Sequence, residues 1–173
     1  DKLISRHPHI YGDVKVNNEE EVKQNWESLK LKEGKESVLE GVPNSLPALV
    51  KANRIQDKVA GVGFDWEEPH QVYDKLKEEL QELDHEISEN NTDNMEAEFG
   101  DVLFSMINYA RFLNINPENA LSRTNKKFVD RFKLMEEMIQ NDHLTLSDMN
   151  LEEMDKYWEK AKVILLNTRP DNQ

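Results

Sequence analysis

The fold is decided by two acidic stretches, KLKEELQELDHEI (residues 75–87) and MEAEFGDVLFSMINYARFL (residues 95–113). In each, apolar side chains recur at steps of three and four residues, which is the period of one helical face. The predicted core stripes are Leu76, Leu80, Leu83 and Ile87 in the first stretch, and Met95, Phe99, Leu103, Met106 and Ala110 in the second. The short NNTDN segment between them predicts an antiparallel helical hairpin.

Two pairs of carboxylates lie beside these stripes. At about 100° per residue, Glu79 and Glu82 share one flank of the first helix. Glu98 and Asp101 share one flank of the second. In a hairpin the two pairs face each other, and four converging carboxylates repel strongly unless a cation lies between them. An all-oxygen ligand set suits Mg²⁺, with Mn²⁺ as the second choice, and Mg²⁺ also takes substrate phosphates as ligands. The spacing therefore predicts a metal–phosphate site.

Two other interpretations of these acids stay open from the residues alone. A solvated acidic surface needs no metal. Glu82-x-x-His85 is also a spacing of di-iron carboxylate bundles, but those need it twice, so magnesium ranks above iron and His85 is expected at the surface. Gly100, in a helix interior where Gly costs about 1 kcal/mol relative to Ala, indicates close approach of another helix or of a ligand.

Further helices are predicted on both sides of the hairpin, and no convincing strand pattern is found. The expected fold class is all-α, an antiparallel bundle of about five to six helices. The predicted helices run from an Asn18 cap to about Lys32, from a Ser45 cap to the glycines of AGVGFDW, over 67–89, from an Asp93 cap to about Leu113, over 116–139, and from an Asn150 cap to about Leu166. Residues 1–45 form a predicted lead-in with a short helix and a linker, 46–166 the main domain, and 167–173 a flexible tail.

Substrate-binding candidates lie on three helices. Asn108 follows Asp101 by two turns on the same side. In the helix predicted over 116–139, the core stripe is Leu121, Phe128, Phe132, Met135 and Ile139. Lys127 and Arg131 lie four residues apart on one flank of this stripe and are interpreted as a phosphate clamp in an otherwise acidic chain. Trp158 either stacks on a base or packs in the core, and the same two interpretations apply to the aromatic residues of GVGFDW.

Composition excludes several classes of function. The chain has 173 residues and a formal net charge of −13, which argues against a nucleic-acid polymer as partner. It has no Cys, which excludes disulfides, thiolate zinc sites and Cys nucleophiles. No apolar run approaches a membrane span and no signal-peptide pattern opens the chain, so no membrane partner and a cytoplasmic location are expected.

The ordered motifs resemble those of the MazG-type nucleoside triphosphate pyrophosphohydrolases. The pattern Glu78-Glu79-x-x-Glu82, then Glu98-x-x-Asp101, is preceded by SLPALVKANRIQDKVAGVGFDW and followed by NPENALSRTNKKFVDRF. The resemblance covers roughly residues 40–160. It implies an α-helical enzyme that uses Mg²⁺ to hydrolyse NTPs or dNTPs to the monophosphate and pyrophosphate. The opening RHPHIYGDVKV resembles the stretch after the first of two MazG-like domains, so the chain is expected to be the second, C-terminal domain.

The resemblance also implies roles for particular residues. The implied metal and catalytic residues are Glu79, Glu82, Glu98 and Asp101, and the implied substrate contacts are Lys127, Arg131, Asn108 and Trp158. Family members assemble as dimers or larger oligomers, and Phe104, off the main stripe, suits a face against a partner subunit. Two alternatives stay open: a narrower helical pyrophosphatase acting on dUTP, dCTP or phosphoribosyl-ATP, and a non-catalytic oligomerisation or regulatory module.

Overall fold

The computed structural model describes residues 37–167, and this part of the chain is helical without any strand, which confirms the all-α prediction. Its helices are α1 (Ala48–Ala60), α2 (Pro69–Ser88), α3 (Thr92–Phe112), α4 (Pro117–Asn141) and α5 (Leu151–Asn167), with a 3₁₀ turn at Leu146–Asp148. Among these, none combines the length and apolar character that a membrane span requires. The helix predicted over 18–32 and the tail beyond Asn167 lie outside the described residues.

Local sequence fixes two of the helix starts. Before α5, Asn150 Oδ1 accepts the backbone N–H of Glu153 at 3.0 Å, and the Glu153 carboxylate accepts the N–H of Asn150 at 2.9 Å. This reciprocal capping box confirms the predicted Asn150 cap. Before α2, Gln71 accepts the backbone N–H of Glu68 at 2.9 Å, while Pro69 occupies the first helical position, where no N–H is needed.

Two predicted caps are wrong. Ser45 does not cap α1, because Pro47 still has extended backbone geometry and its carbonyl accepts the N–H of Lys51 at 2.8 Å. Asp93 does not cap α3, because the carbonyl of Asn91 already accepts the N–H of Met95. Asp93 instead lies in the first turn, where a carboxylate favours the positive end of the helix dipole.

The described residues divide into two compact units after Glu118. In the first unit α2 and α3 form the predicted antiparallel hairpin. Asn94, at the start of α3, donates to Glu86 near the end of α2 at 3.1 Å. At the opposite end, the ring centroids of Tyr73 and Tyr109 lie 5.5 Å apart. These two contacts lie at the ends of the hairpin, so its middle brings the acidic segments of α2 and α3 together.

The core stripe predicted for α3 is on the wrong face. Val102 and Ile107 are buried, whereas Phe99, Leu103 and Met106 are about half exposed, at 54%, 49% and 48%. The helix has apolar residues on most of its circumference between positions 102 and 107. Periodicity alone therefore does not select a face, and packing against α1 and α2 does.

The stripe predicted for α2 is buried only in its first half. Leu76 is buried together with Val72, whereas Leu80 and Ile87 are 44% and 50% exposed. The second half of α2 therefore presents apolar surface that the described residues do not cover.

The second unit has its own small core between α4 and α5. Met135, Ile139 and Ala161 are buried there, and Phe132 packs against them, as predicted for the end of the α4 stripe. Leu121 and Phe128, predicted for the same stripe, remain 49% and 55% exposed. Only the C-terminal part of α4 thus contributes buried side chains to this unit.

Candidate metal centre

The hairpin brings three of the four predicted carboxylates together. Glu79 on α2 and Glu98 and Asp101 on α3 each offer an oxygen that lies within 4.8 Å of the other two. Glu98 and Asp101 converge because residues three apart share a helical face. We call these three residues the carboxylate cluster. Glu79 is only 6% exposed, Glu98 is half-buried and Asp101 is exposed, so the cluster has one buried end and one open end.

Glu82 lies beside the carboxylate cluster but is not one of its three members. Local desolvation raises the pKa of the Glu82 carboxyl above its usual value. The negative charges of Glu79 and Glu98 act in the same direction, while the charge of Lys75 acts against them. Glu82 is therefore close enough to the cluster to share its electrostatic repulsion, although its side chain is exposed.

Lys75 is a neighbour of the cluster that the sequence patterns did not single out. Its Nζ lies 2.8 Å from Glu78 Oε1 and 2.9 Å from Glu79 Oε1. These hydrogen bonds, with Glu78 the larger influence, raise the pKa of Lys75. The signal was available, because a Lys four residues before a buried Glu on one helix is positioned to pair with it.

The donor set of the cluster fits a hard divalent cation. All three members are carboxylates, with no nitrogen or sulfur ligand among them. Oxygen-only sets favour Mg²⁺ or Mn²⁺ over softer metals. His85 is exposed, as expected for a surface residue, and it is not part of the carboxylate cluster.

The close helix approach expected at Gly100 is not seen. A Cβ added at this position would meet nothing within 4 Å among the described residues. The residue itself is exposed, between Glu98 and Asp101 on the helix surface. Space is thus open on this side of the cluster.

Asn108 is held by an arginine rather than lying free. Its Oδ1 accepts hydrogen bonds from Arg111 Nε at 3.1 Å and Arg111 Nη2 at 2.8 Å. The same guanidinium donates to both carboxylate oxygens of Asp65, at 2.8 and 2.5 Å. Asp65 lies between Phe64, which is 79% exposed, and Trp66, which is about half exposed. No local sequence pattern indicates the contact between Arg111 and Asp65, which lie 46 residues apart.

The second unit places two of its three predicted substrate contacts side by side. The guanidinium carbon of Arg131 lies 6.0 Å from the ring centroid of Trp158. Trp158 also packs against Phe128, with ring centroids 5.1 Å apart, so the packing interpretation of this tryptophan is supported. Lys127 and Arg131 are half-buried. Their phosphate contacts, and stacking of a base on Trp158, stay predictions.

Comparisons with known proteins place the chain among nucleotide pyrophosphohydrolase-like sequences. Residues 67–135 match the model of the MazG nucleotide pyrophosphohydrolase domain. The chain is similar to the "Nucleoside triphosphate pyrophosphohydrolase/pyrophosphatase MazG" of Thermotoga maritima, with 47% identity over 94% of this chain and 62% of that protein. It is similar to the "Nucleoside triphosphate pyrophosphohydrolase" of Escherichia coli K12, with 39% identity over 94% of this chain and 64% of that protein. A Bacillus subtilis protein, "Uncharacterized protein YabN", is 47% identical over 94% of this chain and 34% of its own length. The chain thus spans less than two thirds of the length of each of these curated relatives.

Proposed function

We propose that the chain is a member of the MazG nucleotide pyrophosphohydrolase family and a Mg²⁺-dependent enzyme that hydrolyses NTPs and dNTPs to the nucleoside monophosphate and pyrophosphate. The observation that carries the proposal is the convergence of Glu79, Glu98 and Asp101 to within 4.8 Å. Three carboxylates at this separation repel one another unless a cation is bound. Mg²⁺ is the cation that usually accompanies a nucleoside triphosphate.

We assign the cation to the carboxylate cluster together with Glu82. Mg²⁺ is the proposed ion and Mn²⁺ its substitute, because the ligands are all carboxylates. A cation bound there supplies charge neutralisation for the phosphates and lowers the pKa of a coordinated water. Lys75, bonded to Glu79, holds this carboxylate in one orientation.

In the proposed reaction water attacks the α-phosphorus, and the bond from this atom to the bridging oxygen of the β-phosphate breaks. A carboxylate next to the ligands accepts the proton of the water, and pyrophosphate leaves. Cleavage at this bond rests on the family and not on the geometry. Substrate contacts are assigned, on the family motifs, to Lys127, Arg131, Asn108 and Trp158.

We also propose that the enzyme is a homodimer. The face of α3 that carries Phe99, Leu103 and Met106 is about half exposed, and Phe104 is 41% exposed. A second copy of the chain that covers this face would bury apolar surface. Each Å² removed from water stabilises the dimer by about 25 cal/mol. A cytoplasmic location stays a prediction.

Product identification tests the proposed function. The common ribo- and deoxyribonucleoside triphosphates are incubated with the protein and Mg²⁺, and products are identified by ³¹P NMR. We expect pyrophosphate and the monophosphate. A diphosphate with orthophosphate would contradict the proposal, and turnover of a single nucleotide would identify the narrower enzyme. Absence of product with every nucleotide would favour the non-catalytic module. The double variant Glu98→Gln/Asp101→Asn serves as the control for a contaminating hydrolase.

A further inference from the structure

The guanidinium of Arg111 joins two parts of the first unit. Nε and Nη2 donate to Asn108, one turn earlier on α3, while Nη1 and Nη2 donate to Asp65 in the loop before α2. The side chains of Arg111 and Asp65 are only 18% and 26% exposed. A bidentate pair fixes the plane of the guanidinium relative to the carboxylate, which a single-point ion pair does not. We call the three residues the Arg111 clasp.

The clasp fixes the orientation of the Asn108 amide. Oδ1 faces the guanidinium, because the reversed amide would place its N–H groups against the N–H groups of Arg111. The Nδ2 hydrogens are therefore directed away from the arginine. Among the described residues none accepts a hydrogen bond from Asn108 Nδ2, although the side chain is half-buried. Asn108 thus presents two oriented donors that the described chain does not use.

These donors lie on the side of α3 that carries the carboxylate cluster. Asn108 follows Asp101 by seven residues, which is close to two full turns and about 10.5 Å along the helix axis. A neutral donor at this distance suits the sugar hydroxyls or the acceptors of a base, because the phosphates carry full charges and are matched by the cation and by basic residues.

We propose that Arg111 is a positioning residue that orients Asn108 toward the nucleoside part of the substrate, with Asp65 holding the guanidinium in place. This inference rests on the proposed function, which supplies the nucleotide. In this arrangement Arg111 acts through Asn108, since four of its five N–H groups donate to Asn108 and Asp65. The loop with Phe64 and Trp66 is held to the end of α3 by the same pair.

Kinetics of four variants of the full chain test the proposal: Arg111→Lys, Asn108→Ala, their combination, and Asp65→Asn. Lys keeps the positive charge of Arg111 but lacks the planar set of N–H donors that contacts Asn108 and Asp65 together, so Asn108 is no longer oriented. We expect Arg111→Lys and Asn108→Ala each to raise KM by about three- to tenfold, the worth of one neutral hydrogen bond, with kcat within about twofold. The double variant should have the KM of Asn108→Ala, because Arg111 acts through this side chain. Asp65→Asn should raise KM in the same direction.

Additive effects in the double variant would overturn the proposal, as would variants that lower only the melting temperature and leave KM unchanged. A separate readout keeps this test apart from that of the proposed function. Calorimetry measures the affinity of the wild type and the same four variants for ATP in the presence of Ca²⁺, a measurement that does not depend on turnover. If the wild type releases no pyrophosphate, the proposed function fails. The positioning role is then upheld by a non-additive loss of ATP affinity and overturned by unchanged affinity.

Discussion

Lys75 Nζ lies 2.9 Å from Glu79 Oε1, so the most buried member of the carboxylate cluster already has a cation beside it. The side chain of Glu79 is 9% exposed and that of Lys75 is 35% exposed. A buried carboxylate without a partner costs free energy. Lys75 and a bound divalent ion therefore both offset the desolvation of Glu79, and the importance of Lys75 should depend on the metal.

The first prediction concerns Lys75→Met. In EDTA this substitution leaves the buried Glu79 without its partner, and we expect the free energy of unfolding to fall by about 1–3 kcal/mol. With saturating Mg²⁺ the loss should be smaller, because the ion replaces the ammonium group. Urea unfolding in both buffers measures the difference.

Lys77→Met is the matched control on the same helix. Both Lys77 and its partner Asp74 are exposed, and such ion pairs contribute little to stability. Equal losses for the two variants in EDTA, or a Lys75→Met loss that does not change with Mg²⁺, would contradict the interpretation.

The second prediction concerns the pH dependence of stability. Desolvation and the charges of Glu79 and Glu98 raise the pKa of Glu82 above its ordinary 4.5. Because the folded chain holds this proton more tightly than the unfolded chain, the stability contributed by Glu82 is complete below pH 4.5 and is lost as the pH rises through the raised pKa. In EDTA, Glu82→Gln should remove this loss and flatten the stability profile above pH 4.5.

Urea unfolding over a pH series provides the profiles, with Glu96→Gln as a control on the exposed surface of α3. Parallel profiles for the wild type and Glu82→Gln would show that Glu82 does not share the repulsion of the cluster. Saturating Mg²⁺ should bring the two profiles closer, since the ion neutralises its neighbours.

The third prediction uses two glycines with opposite requirements. At Gly100 an added Cβ meets nothing within 4 Å, and the residue lies inside α3. Gly100→Ala should therefore raise the free energy of unfolding by about 0.5–1 kcal/mol. Gly63 also has open space around it, but its φ is +87°, which L side chains rarely adopt. Gly63→Ala should lower stability. Thermal unfolding compares the stability of the two variants. A loss of stability for Gly100→Ala would contradict the prediction and show that another group packs against this position in solution.

The fourth prediction concerns a buried amide between α1 and α3. Gln56 is 3% exposed, and its Nε2 donates to the carbonyl of Phe104 at 2.8 Å. Its Oε1 is buried and has no hydrogen-bond partner among the described residues. Gln56→Met removes one hydrogen bond and one orphaned acceptor together, so we expect a change in unfolding free energy within about 1 kcal/mol.

Gln56→Glu tests the same contact by adding a negative charge, whereas Gln56→Met removes the polar group. A carboxylate of the same shape places negative charge against the Phe104 carbonyl, so this variant should lose considerably more stability than Gln56→Met. Urea unfolding at neutral pH distinguishes the two. A larger loss for Met than for Glu would show that the Oε1 acceptor is satisfied in solution.

Much of the fold could be predicted because its signals are local. Helix type and position follow from apolar periodicity and from Pro69, Pro117 and Asn150 at the starts of α2, α4 and α5. Convergence of Glu79 with Asp101 followed from two helix faces and one short loop. These inferences need only neighbouring residues and the geometry of a hairpin.

The remaining features depend on contacts between distant parts of the chain. The prediction of the buried face of α3 was wrong because both faces of this helix are apolar. Only packing against the neighbouring helices selects Val102 and Ile107 for burial. The Arg111–Asp65 pair joins residues 46 apart and has no local pattern. Lys75 is different, since its spacing from Glu79 was visible in the sequence.

The central claim is that the carboxylate cluster binds a divalent cation, and Mn²⁺ binding tests it most directly. Electron paramagnetic resonance measures free Mn²⁺ during titration of the wild type, Glu98→Gln, Asp101→Asn and the control Glu96→Gln. We predict that the wild type and Glu96→Gln bind Mn²⁺, that Mg²⁺ competes for this site, and that Glu98→Gln and Asp101→Asn weaken binding by about tenfold or more. Binding by these two variants equal to that of the wild type, or a wild type that leaves all Mn²⁺ free, would contradict the claim.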